Sequence, residues 1–553
     1  MSERHAAPIG IVGAGPVGMM LGLFLARYGV RSVLFNLDET SRMQPKGSTQ
    51  NARTMEHYRR LGFSSAVRRV GLPMDHPTDV VYFTRLNGWE LARLRMPSEN
   101  EKLARVRSAP RFDQEPEPLH RANQMYVEAL LYERVCQEPM IEKRFGWRAV
   151  AVDQDDEGVT LGAEHIAGGA REDWRVRYLA GCDGGQSFVR RTLSIHYGGF
   201  RNLEQAFMGG PMIATYLRMP TVLDVVGRAR RAWMYNAINA QGRIVFVSLN
   251  GEDEFLLFTR APEPGTAPDD EAIRRHVQGA AGVAIPVEVM GHNPWTAGVA
   301  RVAHSFGAGR IVLAGDSVHL FTPTGGFGMN TGIDDAANLS WKLSALVQGW
   351  GGPNLLATYE TERQPIATRN TTAARTLAIN VGEMPVADAV EERSPAGEAA
   401  RAELSRYLGT LGEEFASLGV QLGARYDGSP IIVADGTPPP EDPVTYRPSS
   451  VPGGRAPHFW LGTGREIGDS LYDRLGAGFT LLCLGAAADG ALSFAAAASR
   501  RGVPFDVMHL ADGEARAFYE RDYVLVRPDQ HIAWRGNAPP ADADALLARV
   551  TGY

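Results

Sequence analysis

The 553-residue sequence predicts an α/β protein: a Rossmann-like domain, interrupted by a β-rich insertion and followed by a smaller α/β domain. Three observations predict it. Residues 9–12 read as a strand, Gly13-x-Gly15-x-x-Gly18 as a tight turn, the apolar run to about Tyr28 as a helix, and residues 32–36 as a second strand. This is a βαβ unit, which implies a parallel sheet. Between about 206 and 294 the text changes to β-rich stretches such as "GRIVFVSLNGEDEFLLFTR", a separate sheet. After the Pro/Gly-rich stretch 434–457, strand and helix patterns alternate again, with "GFTLLCLG" and "YVLVRPDQHIAWRG" as the clearest strands.

The intervening elements follow in order. Residues 80–111 are mixed and Pro/Arg-rich, as an inserted layer would be. A helix is expected over 123–137, hairpin strands over 148–160 and 174–179, and helices over 332–378 and 397–418. The expected division is 1–79, 112–200 and 297–400 for the dinucleotide domain with its helices, 80–111 and 201–296 for the inserted sheet, 401–456 for helix and linker, and 457–553 for the terminal domain.

Composition narrows the function. Apolar residues make up 44% and charged residues 22%, ordinary for a globular chain, and the net charge of −6 disfavours nucleic acid or an acidic membrane as partner. Three scattered cysteines, Cys136, Cys182 and Cys483, form neither a disulfide framework nor a zinc site, so no metal is expected. The first residues lack the basic, apolar and small-residue succession of a signal peptide, and no apolar run reaches the roughly 18 residues of a membrane span. A cytoplasmic monomer or homodimer acting on a small molecule is expected.

Three motifs carry the chemistry. In the glycine turn, the glycines permit a tight bend, approach of a pyrophosphate to the backbone and close helix packing; Pro16 opens a helix whose N-terminal amides favour an anion. The second motif, "YLAGCDGGQSFVRRTL", carries Asp183-Gly184, Ser187 and Arg190; taken alone it also reads as an Asp-Gly turn capped by Ser187. The third, "GRIVLAGDSVHLFTPTGGFGMNTGIDDAANLSWKLSAL", delivers Gly315-Asp316 at a strand's carboxyl end, then His319, Pro323 and a glycine turn that opens a helix. Asp316 could accept from a ribityl hydroxyl, and the helix amides could hold negative charge developing on a ring.

Together and in this order, these motifs resemble the single-component FAD-dependent aromatic hydroxylases, the class A flavoprotein monooxygenases. The similarity is strongest to the phenol hydroxylase branch, chlorophenol and nitrocatechol monooxygenases and antibiotic-tailoring hydroxylases. The resemblance implies a glutathione-reductase-type FAD domain, an inserted substrate sheet and a thioredoxin-like C-terminal domain. It implies that Gly13, Gly15, Pro16 and Gly18 hold the pyrophosphate, with Asn36, Arg53, Gln124, Asp183 and Asp316 on the cofactor. Pro323, Gly326, Gly328, Met329 and Asn330 would wall the reactive ring. It further implies that NADH or NADPH reduces the flavin and that O2 then forms a C4a-hydroperoxide. That species hydroxylates an electron-rich phenolic or fused ring, with loss of a nitro or halide group where the attacked carbon bears one. His319 and Tyr235 are candidates to accept the phenol proton, with Arg85 and Trp295 as further pocket candidates. Two other readings stay open: a flavin protein that sequesters or steers a reactive aromatic intermediate, and a flavin dehydrogenase or oxidase. A dithiol redox role for the terminal domain is not expected, because Cys483 stands alone there.

One position departs from the fingerprint. The second strand ends in Asn36 where an acid is usual, with Asp38 and Glu39 just beyond, and Lys46 stands where arginine is common. An acid matters most for choosing NAD over NADP; FAD has no phosphorylated rival, so an amide carbonyl suffices for the ribose.

Overall fold

The computed structural model describes residues 3–201, 210–240, 242–261, 269–297, 299–381, 386–485 and 489–553. Its largest sheet grows from the expected βαβ unit. Five strands, Ile311–Leu313, Arg171–Gly181, Glu3–Val12, Ser32–Asn36 and Ile141–Phe145, lie side by side in that order and run parallel. Ile9, Ile11, Leu34 and Phe35 are wholly buried. A parallel sheet is covered on both faces, which is why these strands read as continuous apolar runs. The helix Pro16–Arg27 starts with proline in its first turn and buries Met20, Leu21, Phe24 and Leu25.

The hairpin expected over 148–160 and 174–179 is instead a three-stranded meander of Trp147–Gln154, Val159–His165 and Arg171–Gly181. Its last strand also runs the length of Glu3–Val12. Trp174, Val176 and Tyr178 alternate inward where one face is covered, and Leu179, Ala180 and Gly181 are all buried where both are.

The second sheet has the order Glu288–Ala297, Gly210–Arg218, Glu254–Arg260, Gly242–Ser248, Met234–Asn239, Val80–Phe83, Glu90–Leu94. Residues 80–111 therefore add two strands to it, as the inserted-layer reading requires, along with the helix Glu99–Arg107. One face packs under the helix Asp270–Ala281 through Ile273, Val277 and Ala280. The other meets the first domain through Met125 and is partly roofed by Leu404, Leu408 and Leu411.

Two long helices, Phe327–Gln348 and Ala357–Val381, back the first sheet, and Pro395–Leu408 follows with short turns to Leu422. The terminal domain is a four-stranded sheet, Phe505–His509, Phe479–Cys483, Tyr523–Val526 and Ile532–Gly536 in order, with helices Asp489–Arg501 and Ala543–Val550. The stretch 434–457 has no helix or strand, yet it is no loose tether: Ser450, Val451, Arg455 and Ala456 are buried, and Arg455 pairs with Glu56 of the first domain. Cys136, Cys182 and Cys483 are all free thiols. Among the described residues no helix is long and apolar enough to cross a membrane, and no group of His, Cys, Asp and Glu could hold a metal ion.

Candidate functional site

The three motifs meet at the carboxyl ends of the parallel strands, where α/β sheets bind ligands. Gly13 has φ +104°, and a Cβ there would lie 2.3 Å from the Cys182 carbonyl oxygen; one at Gly18 would lie 1.9 Å from the Gly13 oxygen. These two glycines let the turn, the helix and the Asp-Gly strand touch. Gly15 differs: a Cβ there meets nothing of the chain within 4 Å. The turn is closed on the protein side and open on the other, the cradle a pyrophosphate needs, with the free amides of the helix start facing it. Asn36 closes the next corner: its Oδ1 accepts from Ala14 N at 3.2 Å and its Nδ2 donates to the Asp38 carbonyl at 3.0 Å. The asparagine thus sits beside the glycine turn.

Gly315 (φ +64°) turns the chain so that its N–H donates to Asp335 at 3.1 Å and Asp316 stands exposed at the cleft. Protein atoms crowd Asp316 even though solvent reaches it; that crowding raises its pKa, while His319 and Lys46 pull the other way. Pro323 is exposed, and Gly325 and Gly326 both take left-handed backbone (φ +77° and +66°) before the helix at Phe327. A Cβ on Gly326 would lie 2.7 Å from the Thr49 side chain. Asn330 stitches this loop shut. Its Nδ2 donates to Thr49 O at 2.9 Å and Gly326 O at 2.6 Å, and its Oδ1 accepts from Asn51 N at 2.9 Å. Its side chain is fully used, and its own N–H lies where the helix ladder begins, so what this turn offers a ring is the free amides of Gly328 and Met329. Gln124, half-buried at a helix start, donates to Glu128 and keeps its carbonyl available.

The structure gives five of the side chains selected from sequence partners within the chain. Arg53 is buried and gives its guanidinium to Glu56, Gln530 Oε1 and the Asp529 carbonyl, so it braces the terminal domain. Asp183 accepts from Ser187, Ser317 and Val189 N, which ties the Asp-Gly turn to the Gly-Asp turn. His319 is wholly buried, with Nε2 2.6 Å from Asp335, and packs against Phe306 and Phe321. Tyr235 lies on the far face of the second sheet, under the helix Asp270–Ala281, where its oxygen accepts from Ala232 N at 2.8 Å. Arg85 is tied to Glu391 at 2.9 Å and to the Gly279 carbonyl. The side chain of Trp295 lies outside the described residues.

The face of the second sheet toward the cleft brings residues that the sequence reading did not select. One residue of period two separates it from Tyr235: Met234, Asn236 and Ile238 point to the cleft side and Tyr235 and Ala237 away. Asn236 is wholly buried, and its Oδ1 accepts from Arg243 Nη2 at 2.8 Å. Arg121 is buried, donates to Thr49 Oγ1, and stacks 3.9 Å over the Trp233 ring, with Phe415 on another side. Trp233 Nε1 has no hydrogen-bond partner among the described residues. Arg121 precedes Gln124 by three positions; proximity to that motif was the available signal.

Comparison with known proteins agrees with this geometry. Residues 6–374 match the family described as FAD binding domain, and 449–553 match aromatic-ring hydroxylase, C-terminal. The FAD-dependent monooxygenase apdD of Emericella nidulans is 31% identical, with 98% of this chain and 90% of that protein aligned. Phenol 2-monooxygenase of Pseudomonas sp. is 29% identical, over 98% and 91%. Among solved structures, RebC with bound 7-carboxy-K252c superposes with a TM-score of 0.88 at 32% identity, covering 99% of each chain.

Proposed function

The chain belongs to the FAD-dependent aromatic hydroxylases, and from that premise we propose that it oxidises NADH or NADPH with O2 to hydroxylate a phenolic or fused aromatic ring. The balance is ArH + O2 + NAD(P)H + H+ → ArOH + H2O + NAD(P)+. If the attacked carbon of a phenol bears a nitro or halide group, the same stoichiometry expels that group and leaves a quinone. Bound FAD supplies the electron relay and the oxygen transfer. The protein's part is to bind, orient and exclude water.

Gly13, Gly15, Pro16 and Gly18 take the pyrophosphate, Asn36 the ribose, and Gln124 and Asp316 the ribityl side. Pro323 and the backbone of Gly326, Gly328, Met329 and Asn330 border the ring. In this reading 1–79, 112–200 and 297–400 hold FAD, 80–111 and 201–296 hold substrate, 401–456 is helix and linker, and 457–553 braces both. The enzyme works in the cytoplasm as a monomer or homodimer, with a small aromatic substrate and neither nucleic acid nor membrane as partner.

One observation carries this reading. We place the reaction chamber beside Arg121, which is hydrogen-bonded to Thr49 next to the ring loop and stacked on Trp233 at the start of the strand Met234–Asn239. A buried guanidinium there favours a phenolate over its phenol, which activates the ring toward an electrophilic oxygen. The test is a screen of nitrophenols, chlorophenols, catechols and polycyclic phenols for stimulated NAD(P)H oxidation, with product mass. A product carrying one oxygen from 18O2, either a hydroxylated ring or a quinone formed with release of nitrite or halide, supports the reading; flavin bleaching by substrate without NAD(P)H would replace it with a dehydrogenase.

A further inference from the structure

A cavity of about 430 Å3 lies outside the flavin cleft, between the helix Ala357–Val381 and the segments 416–425 and 439–455. Its size falls within the range of small-molecule sites. Phe327, Leu377 and Val420 make an apolar floor. Thr372 and Thr376, one helical turn apart, add hydroxyls whose protons are already given to the Thr368 and Thr372 carbonyls. Their oxygens therefore face a ligand as acceptors. Arg369 closes one end, anchored to the Val420 and Gly423 carbonyls. Acceptor oxygens and a guanidinium edge around an apolar floor suit a ring bearing phenolic O–H groups.

The position of the cavity links it to the reaction chamber at two points. Ala416 lines it, while the adjacent Phe415 packs on Trp233 and Arg121. Phe327 lines it too, while the adjacent Gly326 belongs to the ring loop, and the Phe327 ring lies against Gly325. We propose that this cavity is a second binding site for the aromatic substrate, an antechamber from which a phenol passes to the flavin. The proposal rests on the phenol-hydroxylating reading of the chamber.

The test counts sites on the FAD-loaded protein with 4-nitrophenol by equilibrium dialysis. Wild type is expected to hold two molecules per chain. Thr376→Trp, which starts from an exposed helix position and fills the cavity, is expected to hold one. Thr372→Val, which removes an acceptor without adding bulk, should weaken the second site about fivefold. With a phenol that stimulates NAD(P)H oxidation, Thr376→Trp should lower kcat/KM about tenfold through KM at unchanged kcat and FAD content. A single site in wild type, or two sites unaffected by Thr376→Trp, overturns the antechamber. Failure of every phenol to stimulate NAD(P)H oxidation instead strikes the hydroxylation reading, and the dialysis result stands apart from it.

Discussion

Gln530 Oε1 accepts a hydrogen bond from Arg53 Nη1 at 2.8 Å, across 477 positions of sequence. Gln530 holds left-handed backbone, φ +68°, at the turn between Tyr523–Val526 and Ile532–Gly536. The same turn offers Arg53 the Asp529 carbonyl at 2.8 Å. The terminal domain thus plugs its hairpin tip into the base of the FAD domain, and Arg527 continues the lock by pairing with Glu362 at 2.6 Å. This is a bracing role, consistent with a domain whose one cysteine is buried in a strand.

Arg53 is therefore expected to act on stability. Arg53→Met leaves Glu56 to Arg455 alone and strips the donor from the buried Gln530 side chain and Asp529 carbonyl, at about 1–3 kcal/mol. Thermal unfolding of the FAD-free protein should show the loss in full. An unchanged apo midpoint with weakened FAD binding would return Arg53 to the cofactor.

The fingerprint glycines are expected to separate into two kinds. Gly18→Ala pushes a Cβ into the Gly13 carbonyl and should destabilise the apo protein. Gly15→Ala meets no protein atom within 4 Å, so the apo midpoint should hold while FAD affinity falls by about tenfold or more, some 1.4 kcal/mol. Calorimetry of the apo form beside a fluorescence titration with FAD reads both.

Asn36→Glu should bind FAD more tightly. A hydrogen bond to a charged acceptor exceeds a neutral one by about 1 kcal/mol, a little over fivefold in affinity. Equal or weaker binding in an FAD titration would identify Asp38 or Glu39 as the ribose contact, with Asn36 serving the Ala14 amide alone.

Tyr235→Phe should leave kcat/KM within about twofold and cost about 1 kcal/mol in urea unfolding, because one buried backbone amide loses its acceptor. A large fall in kcat at unchanged stability would place the hydroxyl in the chamber after all.

Acid should weaken the fold through buried histidines. Burial lowers His57 to about 4, with Arg53 adding to the effect; burial likewise lowers His531 to about 4 and His458 to about 3. All three are neutral in the native state near pH 5, whereas the unfolded chain protonates them below about 6.5. Their contribution is complete above pH 6.5 and is lost as pH falls toward 4, since the unfolded state binds more protons. Urea unfolding at steps from pH 7.5 to 5 should show this decline, and a flat profile would contradict it.

The βαβ unit, the inserted sheet and the terminal α/β domain were legible because each rests on local patterns: period two, period 3.6 and glycine at turns that demand it. Gly13, Gly18 and Gly326 could be picked from sequence because a missing side chain is itself the signal of close approach. Asn36 could be placed because it ends a strand at a fixed distance from the glycines.

Which polar side chains face the cleft was not legible. Arg53, Asp183, His319 and Tyr235 belong to local motifs, but their hydrogen-bond partners come from distant segments: Gln530, Ser317, Asp335 and the far face of a sheet. Arg121 meets Trp233 only when the insertion folds back over the first domain. The sequence by itself determined the cofactor cradle and the family chemistry, since backbone conformation follows from nearby residues. The tertiary structure alone decided which charges hold the domains together, since a buried charge takes its role from the partner that compensates it.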